Sequence, residues 1–142
     1  MAETFMVKEK LIIKAHAQQV WKALTNPGQV KRYMFGYEVE SEWKVGSPIL
    51  WILKRDGKTY TRKGKVLLAE QNKFLKFTDF NPDVDSEKDE SNHAIITYEL
   101  FENEGSTTLQ ITDDCAGNEK KYEETKRFWN TVLPKLKEML ET

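Results

Sequence analysis

Apolar and polar residues alternate at the start of the chain, and the spacing then becomes helical. The segment Thr4 to Ala15 predicts a half-buried strand, because its apolar residues share one parity: Phe5, Val7, Leu11 and Ile13. The next apolar residues follow the i, i+3, i+4, i+7 spacing of an amphipathic helix: Ala17, Val20, Trp21 and Leu24. This helix should end near Asn26, since Pro27 and Gly28 follow, and a second short helix is expected from Gln29 to Tyr33.

The middle of the chain has a period of two. Short apolar runs between turn residues predict six successive strands: Tyr37 to Trp43, Ile49 to Arg55, Lys58 to Ala69, Phe74 to Phe80, His93 to Phe101 and Ser106 to Asp113. Asp56-Gly57 is a strong hairpin signal, because a type I′ turn needs positive φ at both central residues. Successive strands joined by short turns indicate an antiparallel meander, and the first strand brings the number to seven.

The last segment, Asn118 to Thr142, returns to helical spacing. One apolar stripe runs along it, consisting of Tyr122, Thr125, Trp129, Val132, Leu136, Met139 and Leu140, widened by Phe128 and Leu133. A helix with so broad a stripe should lie against the sheet, and a curved sheet around one helix can leave a cavity. The predicted fold class is therefore α+β, with the order β-α-α-β6-α in a single domain over residues 1–142.

Composition and charge narrow the range of functions. With 39% hydrophobic and 11% aromatic residues, the chain is too polar for a membrane protein and too aromatic for a disordered one. The net charge of -1 argues against nucleic-acid binding. The single cysteine, Cys115, excludes an internal disulfide and a cysteine-built metal site. Met1 to Lys10 lacks the basic and apolar regions of a signal peptide, so a cytoplasmic location is expected.

Five segments in this order resemble the helix-grip, START-like superfamily, which includes the birch pollen allergen fold. They are AHAQQVWKAL (15–24), KRYMFG (31–36), KVG (44–46), DGKTYTRKGKVLLAEQNKFLKFT (56–78) and FWNTVLPKLKEML (128–140). Within the superfamily, the chain is most similar to the group homologous to the C-terminal domain of the activator of heat-shock protein 90 ATPase. The resemblance implies a curved seven-stranded antiparallel sheet around a long C-terminal helix, often enclosing a ligand cavity.

The same parity rules nominate residues for that cavity. If Phe77 faces inward, Asp79 shares its direction, and neighbouring strands and the long helix add Trp51, Leu53, Tyr60, Arg62, Trp129 and Leu133. Tyr33 stands where the family commonly has a tryptophan, in the helix that forms part of the cavity mouth. These side chains either fill the interior or line a mostly apolar pocket. Arg62 and Asp79 on inward parities should be paired, at the rim, or facing a polar ligand.

The other reactive residues are expected to have ordinary roles. His16 and His93 lack metal-ligand spacing and are expected to be structural or exposed, and adjacent acids make the Cys115 thiol a poor nucleophile. The acidic stretch Asp79 to Glu90 lacks the glycine and glutamate of a calcium loop and is typical of a solvated loop. The basic stretch Lys54 to Lys65 is either a solvated sheet edge or a docking surface for an acidic partner.

Three functions are compatible with these features. The first is a non-enzymatic protein that binds an apolar or amphipathic, lipid-like small molecule between the sheet and the C-terminal helix, without a cofactor or metal. The second, implied by the resemblance, is a chaperone-associated interaction protein. The third is a cyclase-like enzyme, which the absence of a recognisable acid–base pair, nucleophile triad or metal set places last.

Overall fold

The computed structural model describes residues 5–142 and contains seven strands, three α-helices and two 3₁₀ helices. The first strand is the half-buried β1, Val7–Ile13; Thr4, the first residue of the predicted strand, lies outside the described residues. The other elements are α1 (Ala17–Thr25), α2 (Pro27–Tyr33), β2 (Glu38–Glu40), β3 (Pro48–Arg55), β4 (Lys58–Glu70), β5 (Phe74–Asp79), a 3₁₀ helix (Glu90–Asn92), β6 (Ala94–Asn103), β7 (Ser106–Asp113), a second 3₁₀ helix (Cys115–Gly117) and α3 (Glu119–Glu141).

The strands form one antiparallel sheet in the order β1-β7-β6-β5-β4-β3-β2. This arrangement confirms the predicted α+β helix-grip fold and its meander. Asp56 and Gly57 have φ angles of 52° and 74°, which confirms the positive-φ turn between β3 and β4. The β3–β4 hairpin extends beyond both neighbouring strands, because β2 pairs only with Leu50 to Ile52 and β5 pairs with β4 only from Val66 onwards, apart from one bridge at Lys63. The tip of the basic Lys54–Lys65 stretch is therefore an exposed sheet edge, which is one of the two roles expected for it.

Helix α3 covers the concave face of the sheet and carries much of the core. Its buried residues are Trp129, Val132, Leu133 and Leu136, which follow the predicted stripe. They meet inward side chains of the strands, among them Leu75, Phe77, Tyr98, Leu109 and Ile111, all almost fully buried. Burial of such side chains is the main force that holds the helix on the sheet, at roughly 1.5–3 kcal/mol for each large one.

Gly64 allows β4 and β5 to approach each other closely where the sheet bends. A Cβ atom at this position would overlap the carbonyl oxygen of Thr78 and lie 2.8 Å from its carbonyl carbon. Next to this contact, Lys63 and Phe80 exchange two backbone hydrogen bonds of 2.9 and 3.0 Å. Only glycine permits this close backbone contact, which brings the end of β5 against β4.

We expect Gly64→Ala to destabilise the protein, because the added methyl group meets backbone that cannot rotate away. The loss should be roughly 1–3 kcal/mol or more, the usual range for an overpacked interior, measured by urea denaturation. Gly46→Ala is the matched control, since Gly46 has φ +88° but no atom within 4 Å of its added Cβ. That variant should lose only about 1 kcal/mol, the cost of the left-handed backbone. Equal losses in the two variants would contradict the steric explanation.

Candidate ligand-binding site

A cavity of about 610 Å³ lies between the sheet and the N-terminal half of α3. Its floor consists of inward side chains from β3 to β7, and its roof is α3 with the segments that follow α2 and β5. The cavity reaches the protein surface, because the exposed side chains of Phe35 and Val84 belong to its lining. This volume is within the range of pockets that bind small molecules.

Six aromatic rings form a continuous arc around the cavity. Neighbouring ring centroids are 5.1 to 6.4 Å apart along the series Trp51, Phe77, Tyr98, Trp129, Phe128 and Phe35. Most of the contacts are tilted or edge-to-face, which is the arrangement that aromatic quadrupoles favour. The last ring is held to the sheet because Arg55 Nη2 donates a 3.1 Å hydrogen bond to the carbonyl oxygen of Phe35. The arc gives the cavity an apolar surface suited to a ring-containing body.

Arg62 and Asp79 form an ion pair in the cavity wall. Arg62 Nε donates to both carboxylate oxygens at 3.2 and 3.1 Å, and Nη2 donates to Oδ2 at 2.7 Å. Burial by itself lowers the pKa of Arg62, but the charge and hydrogen bonds of Asp79 outweigh it and raise the pKa overall. The close approach at Gly64 places these two side chains together, since Arg62 is two residues before it and Asp79 follows Thr78. Of the three arrangements expected for these two residues, the structure contains the paired one.

Asp113 is a buried carboxylate at the end of β7, only 6% exposed. Its Oδ2 accepts a 2.9 Å hydrogen bond from Trp129 Nε1, and its Oδ1 accepts a 3.0 Å bond from the backbone N–H of Cys115. Burial raises the pKa of Asp113, and these two hydrogen bonds oppose that shift because they stabilise the ionised form. The carboxylate joins α3 to the sheet and also lines the cavity.

Two further residues of the lining carry polar groups in buried positions. The Tyr98 hydroxyl is one; the residue is 1% exposed, and burial raises its pKa well above the usual value. The Trp51 indole nitrogen is the other; it is fully buried and has no hydrogen-bond partner among residues 5–142. Leaving such a group unpaired costs about 1–3 kcal/mol. The Trp51 nitrogen therefore carries this cost inside the wall, out of reach of a molecule in the cavity.

Six of the nine side chains nominated from the sequence line this cavity: Trp51, Leu53, Arg62, Phe77, Asp79 and Trp129. The other three do not. Tyr33 is buried between α1 and α2, where its hydroxyl donates a 2.7 Å bond to the Ala23 carbonyl oxygen. Leu133 is buried in the core one helical turn beyond Trp129. Tyr60 shares the face of its partner Leu53, as the parity predicts, but lies near the exposed hairpin tip.

The sequence reasoning missed Tyr98 and Asp113 as lining residues. The signal was present in the same alternation, because Tyr98 shares the parity of Ile96 and Leu100, and Asp113 that of Ile111. Asp113 ends its strand next to a second acid, and the sequence analysis considered these acids only as neighbours of Cys115. Its burial depends on Trp129 reaching it from α3, which is a tertiary contact.

The remaining reactive residues contribute little polar chemistry to the cavity. His93 stacks on Phe80 at 4.0 Å between ring centroids, and its Nε2 is 3.0 Å from the Ser86 carbonyl oxygen. His16 is exposed beside Glu102. Cys115 lines the cavity, and burial raises the pKa of its thiol, which disfavours the thiolate.

The acidic stretch is a loop that borders the cavity mouth. Its Asp85 pairs with Lys121 of α3 at 3.8 Å. Across residues 5–142, no group of three or more histidine, cysteine or acidic side chains is arranged to hold a metal ion. None of the helices in this part of the chain is both long enough and apolar enough to cross a membrane.

A curved antiparallel sheet that encloses a cavity under a long C-terminal helix defines a helix-grip protein. The model of the family described as "Activator of Hsp90 ATPase homolog 1-like protein" matches residues 14–141. The chain belongs to this family, which confirms the resemblance seen in its five sequence segments.

Solved structures share this fold. A protein from Cytophaga hutchinsonii, known from a solution structure, is 34% identical, with a TM-score of 0.79 over 96% of this chain and 93% of that one. The Aha1 dimer from Colwellia psychrerythraea is 21% identical, with a TM-score of 0.74 over 96% of both chains. DynU16, from the dynemicin biosynthetic locus, shares the fold at 20% identity and a TM-score of 0.79, over 99% of this chain and 48% of its own. No curated protein matches the sequence.

We expect Trp129→Phe to destabilise the protein in a pH-dependent way. The variant removes a bond to the ionised form of Asp113, so the folded-state pKa of Asp113 should rise further. The loss should be about 2–4 kcal/mol above that pKa, from the lost bond and the smaller ring. It should shrink as the pH falls through the pKa, because a protonated Asp113 needs the bond less. Urea denaturation across the acidic pH range measures both effects.

Trp43→Phe is the control for this prediction. Its indole Nε1 donates a 3.1 Å bond to the backbone carbonyl oxygen of Thr25, which does not titrate. The loss in this variant should therefore not change with pH over the same range. A pH-independent loss in Trp129→Phe would contradict the role assigned to the Asp113 carboxylate.

Proposed function

We propose that this protein binds a small amphipathic molecule in the cavity beneath α3, without a chemical step. The observation that carries the proposal is the arc of six aromatic rings around about 610 Å³ of space. Trp51, Leu53, Arg62, Phe77, Asp79 and Trp129 are the proposed binding residues among those nominated from the sequence, and Tyr98 and Asp113 are added to them.

The polar groups of the wall favour binding over catalysis. The charged groups already have hydrogen-bond partners within the protein. Arg62 donates three hydrogen bonds to Asp79. Asp113 accepts one hydrogen bond from Trp129 and one from the backbone of Cys115. Groups held this way are suited to orienting a ligand. A catalytic acid or base would instead have to release and take up a proton at the substrate.

A cavity-filling variant tests the proposal. Ala94 faces the cavity at the start of β6, so Ala94→Trp should fill part of the space. We expect this change to weaken binding of phenylnaphthylamine, a neutral apolar dye that fluoresces in apolar surroundings, by at least about tenfold. Thr97→Trp, on the opposite face of the same strand, is the matched control and should change the affinity by less than about twofold.

Fluorescence titration with the purified protein gives both affinities. Urea denaturation of the two variants establishes that they are folded. Equal dye affinity in wild type and Ala94→Trp, or no binding to the wild type, would count against the cavity as a ligand site.

A second candidate function is binding to a chaperone, and the β3–β4 hairpin is the observation that favours it. Five basic side chains are exposed there: Lys54, Arg55, Lys58, Lys63 and Lys65. The family description names activation of the heat-shock protein 90 ATPase. We propose that this hairpin would dock an acidic surface of such a partner, since basic side chains on both of its faces attract a surface of opposite charge.

Charge reversal tests this second candidate. We expect the protein to raise the ATPase rate of heat-shock protein 90, and Lys58→Glu with Lys63→Glu to abolish most of the increase. Lys8→Glu with Lys10→Glu is the control, because these exposed lysines lie on β1 at the far edge of the sheet. An ATPase rate that does not respond to the wild-type protein rules this candidate out.

A further inference from the structure

The strands that line the interior of the cavity contribute one more acidic side chain than basic ones. Arg62 and Asp79 form a complete ion pair. Asp113 has no cationic partner within 4.0 Å among residues 5–142, and both of its hydrogen bonds come from neutral N–H groups. Its carboxylate is buried, so water cannot compensate the charge as it would at the surface.

The residues that line the mouth of the cavity do not share this surplus, although the acidic stretch borders the mouth. Its charged lining residues are two bases and two acids: Arg55, Lys121, Asp85 and Glu124. Lys121 and Asp85 are within 3.8 Å of each other. Among the lining residues, the unbalanced charge is therefore the one on Asp113 in the interior.

The aromatic rings beside Asp113 also favour a positively charged ligand. Trp129, which donates to the carboxylate, is 6.0 Å from Tyr98 and 5.1 Å from Phe128 between ring centroids. Aromatic faces attract cations, most strongly where water is excluded. Tyr98, another residue of this lining, carries a hydroxyl oxygen that can accept a hydrogen bond.

We propose that the ligand of this cavity is an organic cation, with its ammonium group against Asp113 and its apolar body among the aromatic rings. The inference rests on the proposed ligand-binding function and names the chemical class. A ligand with a carboxylate would be repelled by Asp113. It would also lose its hydration on entering the cavity, and this loss is unfavourable because no free cation is there to pair with it. A neutral alcohol can donate to Asp113 but leaves the charge uncompensated. An ammonium group supplies both the donor and the charge, and its bond is the stronger kind.

Three probes of the same shape test the class of ligand. They are naphthylmethylamine, which is cationic at neutral pH, naphthylmethanol, which is neutral, and naphthoate, which is anionic. We expect the amine to bind the wild-type protein at least about tenfold more tightly than the alcohol, and naphthoate to bind weakest, as charge-assisted bonding requires. Isothermal titration calorimetry gives the three affinities.

Two variants locate the effect. Asp113→Asn should reduce the affinity for the amine by at least about tenfold and that for the alcohol by less than about threefold. Glu124→Gln is the control, because this exposed carboxylate also lines the cavity but lies at the mouth. It should change either affinity by less than about twofold, as expected for a solvated charge.

A spectroscopic signal provides a readout that does not need the variants to fold. The indole N–H of Trp129 should shift in nitrogen–proton correlation spectra when the amine binds, because its acceptor Asp113 Oδ2 then takes a second donor. Amine affinity equal to or below that of the alcohol, or no shift of the Trp129 signal, overturns the inference while binding of the alcohol still supports the cavity as a ligand site. If none of the three probes binds, the proposed function fails and the inference fails with it.

Discussion

The hydrogen bond from the Trp129 indole to the Asp113 carboxylate is the contact on which the cavity depends. The C-terminal half of α3 is anchored by apolar packing through Val132, Leu133 and Leu136. The N-terminal half stands over open space, where fewer apolar contacts hold it. A charge-assisted bond can fix the helix there without filling the space, because it acts through one pair of atoms rather than through surface area.

A second constraint is the bend of the sheet at Gly64. The backbone of β5 passes so close to this residue that no side chain fits, and this brings Asp79 beside Arg62. The charged pair is thus a consequence of a backbone requirement elsewhere in the strand. Together, the bend and the Asp113 bond explain how a sheet with an apolar concave face carries several polar groups into its interior at an acceptable cost, since each charged group has its own hydrogen bonds.

The alternation of residues predicted the direction of side chains better than their depth. Parity placed Trp51, Phe77 and Asp79 on the concave face, and all three line the cavity. The same rule put Tyr60 on that face, yet the position along the hairpin leaves it exposed. Parity has no information on how far a strand extends past the helix that covers it, and this distance decides whether an inward residue lines a cavity, fills the core or meets solvent.

The local sequence determined the order of the elements, the turn at Asp56-Gly57 and the inward face of each strand, because backbone periodicity and turn geometry act over a few residues. Only the tertiary structure decided which aromatic residues come together beside the cavity under α3. It also decided that Asp113 is buried against Trp129 and has no cationic partner among residues 5–142. These features depend on the curvature of the sheet and on the position of α3 against it. No short segment of the chain determines either of these by itself.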